Sequence, residues 1–129
     1  RIPAHRMKMS EEHIVPLSRQ SLALIEALKP LTGNRELLFP NQNKPMNPIS
    51  ENTLLFALYR MGYRGRTTVH GFRSTASTIL HENNFRSDII ELQLSHTERN
   101  KVKASYNFSK YLPERQNMMQ WWSDFIDNC

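Results

Sequence analysis

Apolar positions recur at helical spacing along most of the chain, with turn-forming residues between the periodic runs. Ser18 precedes "RQSLALIEALK", in which Leu22, Ile25 and Leu28 share one face. That pattern predicts a first helix capped by Ser18 and stopped by Pro30 and Gly33. "LLFP" predicts a short buried segment and "NQNKPMNP" a turn-rich surface loop. Ser50 opens a second helix, with Leu54, Leu58 and Met61 as its core stripe and Gly62 as its end. After the basic loop "YRGRTT" the spacing predicts a third helix over 69–82, with Phe72, Ala76, Ile79 and Leu80 inward and Asn83 and Asn84 closing it. Ser87 caps a fourth, "DIIELQL", which stops near His96, and a short helical piece falls in "NKVKASYNF". Pro113 suits the first turn of a last helix, where Met118, Trp122, Phe125 and Ile126 form an apolar stripe. Only the start departs from this period. "RIPAHRMKM" and "HIVPL", separated by "SEE", predict a β-hairpin with Lys8 near its tip, and Pro3 and Pro16 keep its strands short or at an edge. The expected fold class is therefore mainly α with a small antiparallel β-hairpin at the N-terminus.

The chain has 129 residues, which suits a single domain over 1–129 with an ordinary core. Seventeen Lys and Arg against 12 Asp and Glu give a net charge of +5, a surplus that fits a nucleic-acid or anionic-membrane partner. The only cysteine, Cys129, is the last residue, so there is no internal disulfide and no cysteine-based zinc site, and a reducing compartment is expected. No apolar run approaches transmembrane length and no signal peptide is visible. "RIPAHRMKM" begins in what reads as the inside of a strand, and the expectation is a piece of a longer protein.

Three places carry candidate chemistry. His70 and Arg73 lie three apart, hence on one helical face, just where a helix begins. An arginine there can grip a phosphate with two parallel hydrogen bonds, and the histidine can donate one or move a proton. Taken alone, the pair reads first as a capping histidine beside a surface arginine, an arrangement common on ordinary surfaces. In "LSHTERNKVKASYNF", His96 follows an apolar helix end, and Tyr106 comes ten residues later, past Arg99, Lys101 and Lys103. A tyrosine in a basic polar stretch can be a nucleophile if its phenol, whose ordinary pKa is about 10, is helped to lose its proton. It can as well be an amphipathic anchor. Lys8, in a hairpin turn, either guards a sheet edge or delivers a proton to a leaving oxygen. His5, His13 and His81 show no zinc spacing, no Gly-rich phosphate loop is present, and no metal ligand set is visible.

Taken in order, Lys8, His70-x-x-Arg73, His96 and Tyr106 resemble the catalytic series of the tyrosine recombinase (phage integrase) family. "HGFRSTAST", "LSHTERNKVKASYN" and "RMKM…HIVPLS" look especially like integrases of satellite phages and genomic islands, and the resemblance spans essentially the whole chain. It implies a catalytic domain truncated on its N-terminal side. Tyr106 would attack a DNA phosphodiester to give a 3′-phosphotyrosyl link and a free 5′-hydroxyl. Arg73 would hold the non-bridging oxygens, with His96 as a further donor. His70 would assist proton transfer, and Lys8 would protonate the departing 5′ oxygen. One ester replaces another, so neither ATP nor another cofactor is required, and side-chain cations take the place of a metal.

The resemblance also implies double-stranded DNA attachment sites as substrate, no membrane partner, a tetramer of the full-length protein on DNA, and a cytoplasmic, nucleoid-associated place in a bacterial host. Arg60, Arg64, Arg66, Lys101 and Lys103 are candidate contacts to the DNA backbone. The family carries a second catalytic arginine upstream of the hairpin, which these residues do not include. The 129 residues alone are therefore expected to be catalytically weak or inactive. Two other readings stand beside this one. The first is a basic DNA-binding or excision-accessory module that makes no break. The second is a helical interaction domain that docks through Met118, Trp122 and Phe125.

Overall fold

The computed structural model describes residues 1–7, 10, 12–95 and 111–129. Among them are five α-helices: α1 (Arg19–Thr32), α2 (Thr53–Arg60), α3 (Val69–Glu82), α4 (Ser87–Gln93) and α5 (Leu112–Asp127). The chain divides into two compact units, Arg1–Arg19 with Ala76–Cys129, and Gln20–Thr75.

The mainly helical expectation holds, but the N-terminal hairpin does not form among the described residues. Its place is taken by a single antiparallel bridge between Ile2 and His13. Ile2 N–H donates to His13 O at 2.8 Å, and His13 N–H donates to Ile2 O at 3.0 Å. Directly after Ile2 the chain coils into a 3-10 turn, Ala4–Arg6. Pro3 sits before that turn with φ −70°, and a proline can neither donate to a ladder nor continue a central strand. Among the described residues, one residue pair is thus all the sheet this segment makes.

In the unit of Arg1–Arg19 and Ala76–Cys129, the core is Leu80, Ile89, Ile90 and Met118, all under 4% exposed. Phe85, Leu94, Tyr111, Met119, Trp121 and Trp122 pack around it half-buried. Each fully buried aliphatic side chain of this kind stabilises by roughly 1.5–3 kcal/mol. The aromatic rings form a column: Phe85 lies 5.0 Å from Trp121, and Phe125 stacks on Trp121 at 5.4 Å and on Trp122 at 5.8 Å. Ser18, also buried, accepts a hydrogen bond from Ser123 Oγ of α5 at 2.6 Å. Arg86 forks onto Asp88, with Nη2 to Oδ2 at 2.6 Å, and reaches Glu114 at 3.2 Å. Its hydrogen bonds to Asp88, then to Tyr111, raise the guanidinium above its ordinary value. Arg86, not Ser87, is the cap residue of α4, one position earlier than expected.

Helix ends are set by left-handed residues. Gly62, φ +88°, follows α2: Tyr63 N–H donates to Leu58 O and Gly62 N–H to Tyr59 O, the paired bonds of a Schellman ending. Asn84, φ 61°, ends α3 in the same way, through Phe85 N–H to Leu80 O and Asn84 N–H to His81 O. In contrast, α1 runs through Pro30 to Thr32. Thr32 Oγ1 donates to Leu28 O and Gly33 N–H to Lys29 O, so hydrogen bonding resumes beyond the donor that proline lacks.

Three burial expectations in the unit Gln20–Thr75 are corrected. "LLFP" is not buried, since Leu38 is 42% and Phe39 54% exposed. Phe72 is 55% exposed rather than inward. The face of α2 buries Leu58 but leaves Leu54 and Met61 exposed. Helical period aligns such residues on one face, but a second surface must be present to cover them. The loop after "LLFP" is a surface turn as expected: Asn41 Oδ1 accepts from the N–H groups of Asn43 and Lys44. A bridge of Pro40 with Pro48 closes it, using only donors from Asn41 and Ile49.

Candidate functional site

Thr67 and Thr68 precede α3 and shape its start. Thr68 Oγ1 accepts from Gly71 N–H at 3.1 Å and so satisfies one of the free donors of the first turn. A Cβ on Gly71 would lie 2.9 Å from Thr67 Oγ1 and 3.5 Å from Thr68 Oγ1, so the side chain between His70 and Phe72 is kept minimal. His70 and Arg73 therefore stand in the first two turns of α3, three residues apart on one face, His70 exposed and Arg73 half-buried. No acidic residue occupies the first turn of α3. That end of the helix carries its partial positive charge beside both side chains.

The connection from α2 to α3 adds more cations. Residues 52–81 hold four arginines and two histidines and no aspartate or glutamate. Arg60, Arg64 and Arg66 are exposed. Two of them rest on aromatic faces, Arg64 at 5.4 Å from the Tyr59 ring and Arg66 at 5.7 Å from the Tyr63 ring. Such stacking holds a guanidinium out from the chain with its donors presented. Arg60, Arg64, Arg66, His70 and Arg73 all belong to the unit Gln20–Thr75.

Lys8, His96, Lys101, Lys103 and Tyr106, and the short helix expected in "NKVKASYNF", lie outside the described residues. Of the five candidate catalytic residues the structure thus describes His70 and Arg73. Among the described residues, no group of three or more His, Cys, Asp or Glu side chains is placed to hold a metal ion. No helix among them is long and apolar enough to cross a membrane.

One residue escapes sequence reasoning. Arg115, in the first turns of α5, is fully buried. Its Nε and Nη2 donate to Gln93 Oε1 at 2.9 and 2.8 Å, and Nη2 also donates to Ile14 O. Nη1 is buried and has no partner among the described residues. Burial pushes the guanidinium below its ordinary value. The signal was present in the spacing: Arg115, Met118, Trp122 and Phe125 recur at three and four residues, which puts the arginine on the apolar stripe.

The phage integrase family model matches residues 1–112. Prophage integrase IntA of Escherichia coli (strain K12) is 48% identical over 126 residues, which cover 98% of this chain and 30% of that protein. The integrase of Enterobacteria phage P4 is 52% identical over 125 residues, 94% of this chain and 28% of its own length. The integrase of Shigella phage Sf6 is 39% identical over 127 residues, 98% of this chain and 33% of its own length. No solved structure matches this chain at a significant level. The chain belongs to the phage integrase family of tyrosine recombinases. It spans about a third of the length of these curated relatives.

Proposed function

We propose that the chain is the catalytic part of a longer site-specific DNA recombinase that breaks and rejoins double-stranded DNA through Tyr106. The observation that carries this reading is the pairing of His70 and Arg73 at the acid-free start of α3, in one unit with Arg60, Arg64 and Arg66. The kinship with integrases of phages and prophages supports it.

In the proposed reaction the Tyr106 oxygen attacks a backbone phosphorus as its phenolic proton leaves, with His70 assisting that transfer. The bond from phosphorus to the 5′ oxygen breaks, and Lys8 gives that oxygen a proton. The product is a 3′-phosphotyrosyl ester, and attack by a 5′-hydroxyl of the partner strand reverses the step. Negative charge on the non-bridging oxygens grows in the transition state, so fixed donors from Arg73 and His96 lower the barrier. Arg73 suits this place because a guanidinium stays charged and its fork matches two phosphate oxygens. Arg60, Arg64, Arg66, Lys101 and Lys103 would hold the flanking backbone.

A polypeptide of these 129 residues alone would bring one such arginine where the family uses two. Removal of a single transition-state donor costs about 3 kcal/mol, so its cleavage should be slower by about 100-fold or more. Assembly as a tetramer on attachment-site DNA and action in the host cytoplasm complete the reading.

The test is strand cleavage of a nicked attachment-site substrate by a complete protein carrying this chain. Tyr106→Phe should abolish the covalent adduct and leave DNA affinity within about twofold, because it removes one oxygen and no charge. Unchanged cleavage by that variant would defeat the assignment. A wild-type protein that binds the site and never cleaves it would favour a binding module instead.

A further inference from the structure

We propose that Arg115 is a positioning residue for the tyrosine-bearing stretch, its buried guanidinium tying together the described elements that come before and after residues 96–110 in the sequence. This rests on the reading of Tyr106 as nucleophile.

A guanidinium is an expensive group to bury, and among the described residues no carboxylate meets it: its partners there are a side-chain amide and a backbone carbonyl, and Nη1 has none. An apolar residue would fill the stripe of α5 more cheaply. What the arginine adds is the identity of the chain segments it joins. Gln93 is the last residue of α4, two positions before Ser95. Arg115 lies four residues after Tyr111, whose carbonyl accepts from Arg115 N–H at 2.9 Å. The side chain thus ties the end of α4, three positions before residue 96, to the first turns of α5, just after residue 110. Its second acceptor, Ile14 O, belongs to the segment that follows Lys8 and is itself bridged to Ile2 through His13. Three of the proposed catalytic residues, Lys8, His96 and Tyr106, are thus three to nine positions in sequence from residues joined by one guanidinium.

The fork is what permits this. Nε and Nη2 converge on one amide oxygen while Nη2 also reaches the carbonyl, a geometry that a lysine ammonium cannot reproduce at full span. Small displacements of a nucleophile have large kinetic effects, on the order of 100-fold for about 1 Å.

The experiment compares Arg115→Lys, Arg115→Met, Gln93→Leu and Gln93→Glu in the complete protein, measuring single-turnover cleavage at saturating attachment-site DNA alongside DNA affinity and melting temperature. Positioning predicts that Arg115→Lys, Arg115→Met and Gln93→Leu cleave about 10- to 100-fold more slowly at full DNA occupancy, with affinity changed less than about threefold. Gln93→Glu keeps an acceptor oxygen for the fork and should cleave near the wild-type rate. Should Arg115→Met fail to fold, the contrast between Gln93→Leu and Gln93→Glu decides. Lower melting temperatures with wild-type cleavage at saturation would overturn the proposal and leave Arg115 a packing residue. Tyr106→Phe run in parallel separates the two claims: if it still cleaves, the nucleophile assignment fails, and if it is inactive while the other variants cleave normally, only the positioning role fails.

Discussion

Replacing Arg60, Arg64 and Arg66 together by alanine should flatten the salt dependence of DNA binding. Each phosphate neutralised by the protein contributes about 0.9 to the slope of log affinity against log salt. All three side chains are exposed, and two are propped on tyrosine rings, so each can meet one phosphate. The triple variant should lose about 2.7 from the slope if all three do so. Between 50 and 200 mM salt, its affinity should then fall about 40-fold less steeply than that of the parent. Fluorescence anisotropy with a labelled attachment-site duplex, titrated at several salt concentrations, reads the slope directly. Arg64→Lys is the control: it gives up the planar stack on Tyr59 but keeps the charge, so its slope should match the parent's. A triple variant with the parental slope would show that these arginines do not touch the DNA backbone, and the proposed interface would be wrong.

Two stability predictions follow from the packing. Met118 is fully buried between α4 and α5 side chains, so Met118→Ala should destabilise by about 2–5 kcal/mol in urea denaturation, whereas Ile126→Ala, half-exposed on the same helix, should cost less than about 1 kcal/mol. Gly62→Ala should cost about 1–2 kcal/mol through backbone strain alone, since φ is +88° and nothing lies within 4 Å of the added carbon. A neutral Gly62→Ala would mean that α2 ends by another geometry in solution.

The helices were legible because their punctuation is local. The extent of α3 follows from the threonines before Val69 and the asparagines after Glu82, each acting through bonds to its own neighbours. Pro30 misled because a proline removes only one donor near a helix end, where the next bonds can be made without it. The hairpin misled because β-branched residues mark a potential strand, while a ladder needs consecutive pairs; here the chain coils at Ala4 after one. Burial was the least legible property. Phe72 and Leu80 share the apolar pattern of α3, yet Leu80 meets Ile89, Ile90 and Met118 and Phe72 remains exposed. In the candidate site, His70 and Arg73 were legible because i,i+3 spacing on a helix needs no tertiary knowledge. Arg115 was passed over because arginine normally marks a solvated face, and its acceptors, Gln93 and Ile14, are distant in sequence.

The central claim, that Tyr106 forms the bond to DNA, is tested most directly by mapping the covalent adduct. A complete protein carrying this chain is trapped on a nicked attachment-site substrate, digested with trypsin and nuclease, and analysed by mass spectrometry. Cleavage after Lys103 and Lys110 isolates residues 104–110, "ASYNFSK", in which Tyr106 is the only tyrosine. Tyr59, Tyr63 and Tyr111 fall in other peptides. The account predicts the nucleotide remnant on peptide 104–110, at Tyr106. A remnant on any other peptide, or on Ser105 or Ser109 within this one, would contradict it.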